Sequence, residues 1–205
     1  MKISFKQKWL IIAAILMAVV FAQSIVVYSG VNNISERSEK LVNKEIIMLN
    51  VAHELKLAVV QVQQWLTDIS ATRALDGLND GFDEAKVNAE KFYSLVEQLK
   101  AIDAENADSY EAMIPVFQKY YETGQKMARS YIEEGPEGGN KMMASFDDAA
   151  ASMTENVNKF VESVVSMVAE DGVGELAAAE RLKLFSILAS LVMIVVLAVV
   201  IWQGR

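Results

Sequence analysis

A heptad pattern between Ile34 and Thr72 constrains the fold of this chain more than any other feature. No Pro or Gly interrupts the sequence from Val31 to Ala74, so we expect one helix of about 60 Å. Alternating steps of four and three are typical of the contact seam of a helix that packs on other helices. That helix therefore needs partner helices. The seam consists of Ile34, Leu41, Met48, Leu55, Val62 and Ile69, with Val51, Ala58, Trp65 and Thr72 between them.

Three more segments show the same alternation of four and three. They lie at about 81–102, 108–133 and 140–171, and a breaker-rich stretch at 134–140 separates the last two. With the first helix, at about 31–73, they predict an all-α fold: an antiparallel up-down four-helix bundle flanked by two transmembrane helices. The seam positions of these three segments are Ala85, Ala89, Phe92, Val96, Leu99, Met113, Phe117, Tyr120, Gly124, Met127, Tyr131, Phe146, Ala149, Met153, Val157, Phe160, Val164 and Met167.

Two apolar runs without charge lie near the ends of the chain. The run at 9–28 has 20 residues, and the run at 184–202 has 19, inside a second predicted span at 182–202. About 20 apolar residues cross a bilayer, so both runs predict transmembrane helices. A signal peptide cleaved before Gln23 is the alternative for the first run. The apolar run continues through Tyr28, which favours an uncleaved span.

The basic residues predict an orientation in the membrane. Three lysines lie among the first eight residues, and positively charged flanks stay in the cytoplasm. Residues 1–8 are then a cytoplasmic stub, 29–180 the extracytoplasmic bundle domain, and 203–205 the start of the cytoplasmic side. Arg181 and Lys183, beside the second span, act mildly against this orientation, but the first helix usually dominates.

The composition excludes several classes of function. All 27 acidic residues lie between Glu36 and Glu180, where 13 Lys and Arg leave a net charge of −14, so nucleic acid is not an expected partner. The chain has no Cys and a single His, and the spaced Glu-x-x-His pairs of a di-iron bundle are missing. We therefore expect a protein that is not an enzyme, with no catalytic residues, no metal site and no cofactor.

One polar stripe on the first helix is a candidate ligand site. Its residues recur at steps of four, four, three and four, on a face about 120° from the apolar seam. They line either a small-ligand pocket or a subunit contact, or they are simply solvated; a haem or metal role for the histidine is the weaker reading. Asp68 and Arg73 would supply charge, and the amides and the imidazole would supply neutral hydrogen bonds. The stripe is His53, Leu57, Gln61, Gln64 and Asp68, and the candidate ligand-binding residues are His53, Gln61, Gln64, Asp68 and Arg73.

The whole pattern resembles the sensor part of bacterial methyl-accepting chemotaxis proteins. A cytoplasmic stub, a span, a four-helix bundle and a second span follow one another in that order over essentially all 205 residues. Two stretches also resemble their sensor regions: 60–73 (VQVQQWLTDISATR) and 134–148 (EGPEGGNKMMASFDD). Sensor histidine kinases and diguanylate cyclases use similar input bundles and are alternatives, as is a membrane-anchored interaction or scaffold protein.

The resemblance implies a homodimer in the bacterial inner membrane, with its bundle in the periplasm and its first helices facing each other. A small molecule or a periplasmic binding protein would bind the bundle and displace the fourth helix and the second span. The arginine-based amino-acid pocket of the family has no match residue by residue, because only Arg37 and Arg73 lie on the first helix. Family members continue into a linker and a methylated hairpin, so we expect either the input part of a longer protein or a naturally short chain.

Overall fold

The computed structural model describes residues 5–203, and within that range the chain contains helices and turns but no strand. The predicted all-α class is confirmed. Residues 1–4 and 204–205, which belong to the predicted terminal segments 1–8 and 203–205, lie outside the described residues. The α-helices are Phe5–Lys40 (α1), Ile46–Thr72 (α2), Gly81–Ile102 (α3), Ala107–Glu111 (α4) and Met113–Gln203 (α5).

The chain divides into two compact units. The core unit is Val42–Val168, and the span unit combines the described residues up to Leu41 with those from Ala169 onward. α1 and α2 are joined by a π-helical segment, Leu41–Glu45, in which Glu45 is buried. A π turn contains an extra residue, so it changes the face that the following helix presents.

The core of α2 is wider than the heptad pattern predicts. Between Met48 and Ile69 the predicted seam positions are buried except for Trp65, which is half-buried. A third row, Ala52, Val59 and Leu66, is also buried. The face of α2 that packs on other helices is therefore broad, and not the narrow strip of a simple heptad seam.

A tight turn joins α2 to α3. Arg73, with φ of 54°, ends α2 in the left-handed conformation, and a 3₁₀ turn follows at Leu75–Gly77. α3 begins at Gly81, where a Cβ atom would lie 2.7 Å from the carbonyl oxygen of Trp65. Only glycine allows this approach, because a contact that short with backbone cannot relax easily. An ion pair between Lys91 and Glu54 also joins the two helices.

Aromatic rings of α3 and α5 pack in the centre of the core unit, and one of them is hydrogen-bonded to α2. The rings of Phe92 and Phe117 stack with centroids 3.8 Å apart, and those of Tyr120 and Phe146 stack at 5.6 Å. All four residues are buried. The Tyr120 hydroxyl donates a hydrogen bond to the carbonyl oxygen of Val59 at 2.9 Å, so its polar group is satisfied inside the core.

α5 is broken at Gly135, which has φ of 68° and ψ of −162°. That conformation is essentially open only to glycine. Pro136 follows as the first residue of the next helical stretch, where its missing N–H is not needed. The predicted breaker at 134–140 is thus confined to one residue. We call 113–134 the front part and 136–203 the rear part of α5.

The front and rear parts of α5 fold back on each other. A Cβ atom on Gly124 would lie 2.7 Å from Phe146, and these residues are equally far from Gly135 in sequence. The Tyr131 hydroxyl donates a hydrogen bond to Asn140 Oδ1 at 2.5 Å. The two parts therefore run antiparallel. Pro115 lies in the first turn of α5, so it marks a late helix start rather than a kink.

Replacing Gly135 with alanine is expected to lower the free energy of unfolding by about 1–3 kcal/mol, because an L side chain is strained at this φ and ψ. Thermal unfolding of the full chain in detergent measures this. The control is Gly172→Ala, since a Cβ atom there meets nothing within 4 Å in a helical stretch. We expect the control to be neutral or stabilising by up to about 1 kcal/mol. Equal stability of both variants would contradict the strained turn.

In the span unit, α1 and the rear part of α5 are in direct contact. A Cβ atom on Gly30 would lie 2.7 Å from Leu182 Cδ1, and Lys40 Nζ lies 3.1 Å from Asp171 Oδ2. Higher residue numbers on α1 thus face lower numbers on α5, so these two stretches are antiparallel. The helical stretches Trp9–Thr72 and Ala104–Trp202 each contain a window long and apolar enough to cross a membrane, with mean hydropathy of 2.8 and 3.1 and no buried residues.

Candidate functional site

The predicted polar stripe lies on the surface of α2. His53, Gln64 and Asp68 are exposed, and Gln61 is half-buried. Gln61 Nε2 donates a hydrogen bond to Gln64 Oε1 at 3.2 Å, so these two amides satisfy each other along the helix. Arg73 is exposed, just beyond the end of α2.

A shallow groove of about 510 Å³ brings only part of the stripe together. Gln64 and Asp68 line it, whereas His53, Gln61 and Arg73 do not. Every lining residue comes from α2, so the groove has one wall and is open on the other side. A ligand held firmly here needs a second wall, since small-molecule sites usually bury most of the ligand surface. The lining is Val60, Gln63, Gln64, Trp65, Thr67, Asp68 and Ala71.

The third buried row of α2 places the polar stripe farther from the centre of the core than the heptad seam alone does. The heptad seam alone places it about 120° away, but the third buried row shifts the centre of the core around the helix. At 100° per residue, the stripe then lies about 160° from that centre. The stripe therefore lies on the side of α2 away from the core, which is the side that a subunit contact or a solvated face requires. The stripe does not line the interior of the core unit.

A second heptad seam runs along this outer side of α2. Eight exposed residues follow one another at alternating steps of four and three, and they include Leu57, which is 47% exposed, and Val60, which is 45% exposed. This spacing is visible in the sequence. Sequence reasoning missed the second seam because the apolar, buried seam lies on the same helix. We call these residues the outer seam: Ile46, Asn50, His53, Leu57, Val60, Gln64, Thr67 and Ala71.

A polar groove of about 660 Å³ lies between α2 and the rear part of α5. Gln63 contributes from α2, and the charged residues of the rear part include Glu155 and Lys159, which form an ion pair at 2.6 Å. The hydrogen bond from Lys159 lowers the pKa of Glu155. Sequence reasoning did not find this groove, because its walls come from segments far apart in the chain. The remaining lining is Asp147, Ala150, Ala151, Thr154, Asn158 and Glu162.

A buried hydrogen-bond network joins the π segment to the end of α3. Asp103, which is only 4% exposed, accepts hydrogen bonds from Lys44 at 2.8 Å, Tyr110 at 2.6 Å and Asn106 at 2.8 Å. The pKa of Asp103 is lowered to about 2, and the hydrogen bond from Lys44 is the largest cause. Burial and Asp103 raise the pKa of Tyr110. The ion pair of Lys44 and Asp103 therefore links the π segment to the end of α3.

Within the described residues, no group of three His, Asp or Glu side chains is arranged to hold a metal ion. Comparison with protein families, with curated proteins and with solved structures finds no match for this chain. The functional interpretation therefore depends on the helices, the grooves and the outer seam themselves.

Proposed function

We propose that this chain is the non-enzymatic input module of a transmembrane sensor for bacterial chemotaxis. Binding of a small molecule or a periplasmic binding protein outside the membrane displaces the last helix and, with it, the second span. The observation that carries this proposal is the rear part of α5, which is helical from Pro136 to Gln203 without a break. A continuous helix transmits an axial shift along its length, because its backbone hydrogen bonds resist compression.

In this proposal the core unit is an antiparallel up-down four-helix bundle. Its helices are α2, α3, the front part of α5 and the rear part of α5. The tight turn after Arg73 and the break at Gly135 supply two of the reversals. The buried rings of Phe92, Phe117 and Phe146 support the arrangement, since they connect three of the four helices through one core.

The proposed location is the inner membrane, crossed twice, with the bundle in the periplasm. Exposed apolar side chains support the two spans: Leu10 is 70% exposed and Leu188 is 61% exposed. In water such surfaces would drive association, whereas lipid chains cover them without cost. The lysines among the first eight residues favour a cytoplasmic start.

We further propose that two copies pair through the outer seam. Leu57 and Val60 at its centre supply apolar contact, while Asn50 and Gln64 fix the register through polar contacts, as polar seam residues do in coiled coils. Pairing would also place a second wall over the one-sided groove that Gln64 and Asp68 line. A ligand at this groove would then touch both copies.

A thermal-shift screen of the full chain in lipid nanodiscs, against amino acids and organic acids, tests the sensor proposal. A ligand present at 100 times its dissociation constant stabilises the protein by about 2.7 kcal/mol. For a chain of this size we expect an increase of several degrees in the unfolding temperature. The Asp68→Ala variant should lose that increase if the ligand occupies the α2 groove, and Asp108→Ala, an exposed carboxylate on α4, should keep it.

A membrane-anchored docking protein is the second candidate, and the exposed outer seam is the observation that favours it. It predicts no thermal shift with any small molecule. It also predicts that Leu57→Glu abolishes pairing or docking and changes nothing else. A clean negative screen at high ligand concentration would contradict the small-molecule sensor and support the docking protein.

A further inference from the structure

A groove of about 870 Å³ in the span unit lies between α1 and the rear part of α5. Small residues create it: Ser29 and Gly30 on α1 face Gly174, Ala177 and Ala178 on α5. Its walls are charged at one end and apolar at the other, and they hold no carboxylate. The remaining lining is Ile25, Val26, Asn33, Ile34, Arg37, Arg181, Leu182 and Phe185.

The charged end of the groove consists of two arginines on different helices. Arg37 and Arg181 are both exposed, and neither takes part in an ion pair within the described part of the chain. The two helices are antiparallel, and helical side chains lean toward the start of their own helix. Arg37 and Arg181 therefore lean toward each other along the groove. Two guanidinium groups on one groove match a phosphate, which they bind through paired hydrogen bonds.

The apolar end of the groove belongs to the uncharged runs. Ile25 and Val26 lie in the run at 9–28, and Phe185 lies in the run at 184–202. Arg181 precedes the second run by three residues. The groove therefore extends from the apolar stretches to the charged residues just beyond them, which is also the order of acyl chain and headgroup in a bilayer.

We propose that this groove binds one anionic phospholipid, whose phosphate contacts Arg37 and Arg181 and whose acyl chain lies along Ile25, Val26 and Phe185. The proposal rests on the membrane insertion proposed above. An anionic lipid is favoured over a zwitterionic one because the lining offers two positive charges and no negative charge. A lipid between α1 and α5 would tie together the two helices that must slide past each other, so the lipid composition would set how easily the last helix moves.

Native mass spectrometry of the full chain, released from nanodiscs of mixed phosphatidylglycerol and phosphatidylcholine, tests this site. We expect the wild type to retain phosphatidylglycerol preferentially. An arginine that hydrogen-bonds the phosphate contributes about tenfold in affinity, so Arg37→Gln with Arg181→Gln should reduce retention by about 100-fold. The control Lys183→Gln removes one positive charge from the same helix two residues away, outside the groove. It should lose no more than about fivefold, the non-specific effect of one basic residue at a membrane surface.

Four outcomes would overturn the proposal. The first is equal retention by the wild type and the double variant. The second is an equal loss in Lys183→Gln, which would indicate diffuse charge attraction rather than a site. The third is extraction of the chain from cell membranes by alkaline carbonate, which would overturn membrane insertion and the lipid site together. An inserted chain without lipid preference would overturn the lipid site alone.

Discussion

Replacing Phe117 with alanine is expected to lower the free energy of unfolding by about 3–5 kcal/mol, the usual cost of removing a buried aromatic ring. Phe117 is fully buried and stacks on Phe92 at 3.8 Å. It also contacts Tyr93 edge-on at 5.4 Å and lies 5.9 Å from Tyr120. Its removal leaves a cavity that these rings cannot fill, because they are held by their own helices.

Urea unfolding of the full chain measures this loss, followed by the fluorescence of Trp65 in a background that carries Trp9→Phe and Trp202→Phe. Phe117→Leu should recover part of the stability, since leucine refills some of the cavity. The control Val87→Ala truncates a side chain that is 58% exposed on α3, and we expect a change within about 0.5 kcal/mol. A loss for Phe117→Ala no larger than for Val87→Ala would show that the four segments do not share this core.

Replacing Asp103 with asparagine is expected to lower stability at neutral pH by about 2 kcal/mol. The pKa of Asp103 is lowered from 3.8 to about 2 in the folded chain, chiefly by the Lys44 hydrogen bond. Its carboxylate therefore stabilises the folded state fully above pH 3.8. That contribution is lost as the pH falls from 3.8 through 2, because the carboxyl is then protonated in both states.

The difference in unfolding free energy between wild type and Asp103→Asn should shrink between pH 4 and pH 2, and chemical unfolding at a series of pH values measures it. Asp108→Asn, at an exposed carboxylate on α4, serves as the control and should change the free energy of unfolding at neutral pH by no more than about 0.5 kcal/mol. If the free energies of unfolding of the wild type and Asp103→Asn differ by the same amount from pH 7 to pH 2, the charged network is contradicted.

Periodicity predicted the buried face of the front part of α5 better than that of the rear part, where Ala149 and Phe160 are half-buried and Met167 is exposed. All six predicted seam positions from Met113 to Tyr131 are buried. Periodicity could not reveal the third row on α2, because an isolated apolar residue such as Ala52, Val59 or Leu66 fits either a core or a surface. Nor does any residue type mark the π segment at Leu41–Glu45, since its wider hydrogen bonding arises from packing.

The sequence did not show which glycines between 134 and 140 interrupt the helix. The stretch at 134–140 predicted a loop, yet only Gly135 leaves the helical conformation. Gly139 is helical and faces the ring of Tyr131, so it provides room for close packing rather than flexibility. Sequence alone cannot separate these two uses of glycine, because both require the absence of a Cβ atom.

The candidate site was predicted only in part for a similar reason. Helix spacing groups His53, Gln64 and Asp68 on one face of α2, and that face is exposed. The Asp103 network and the groove at Gln63 and Asn158 join residues distant in sequence, and no local pattern specifies such contacts. The ligand-binding roles of His53, Gln61, Gln64, Asp68 and Arg73 stay predictions.

The proposed sensor depends most directly on the pairing of two copies through the outer seam. The natural chain has no cysteine, so single substitutions report proximity without background. Oxidation of membranes that contain Leu57→Cys or Gln64→Cys should give disulfide-linked dimers, since disulfides form only when Cα atoms approach to about 7 Å or less. The control Glu122→Cys, exposed on the front part of α5, should stay monomeric. Monomers for both outer-seam variants, or dimers for Glu122→Cys alone, would contradict the pairing.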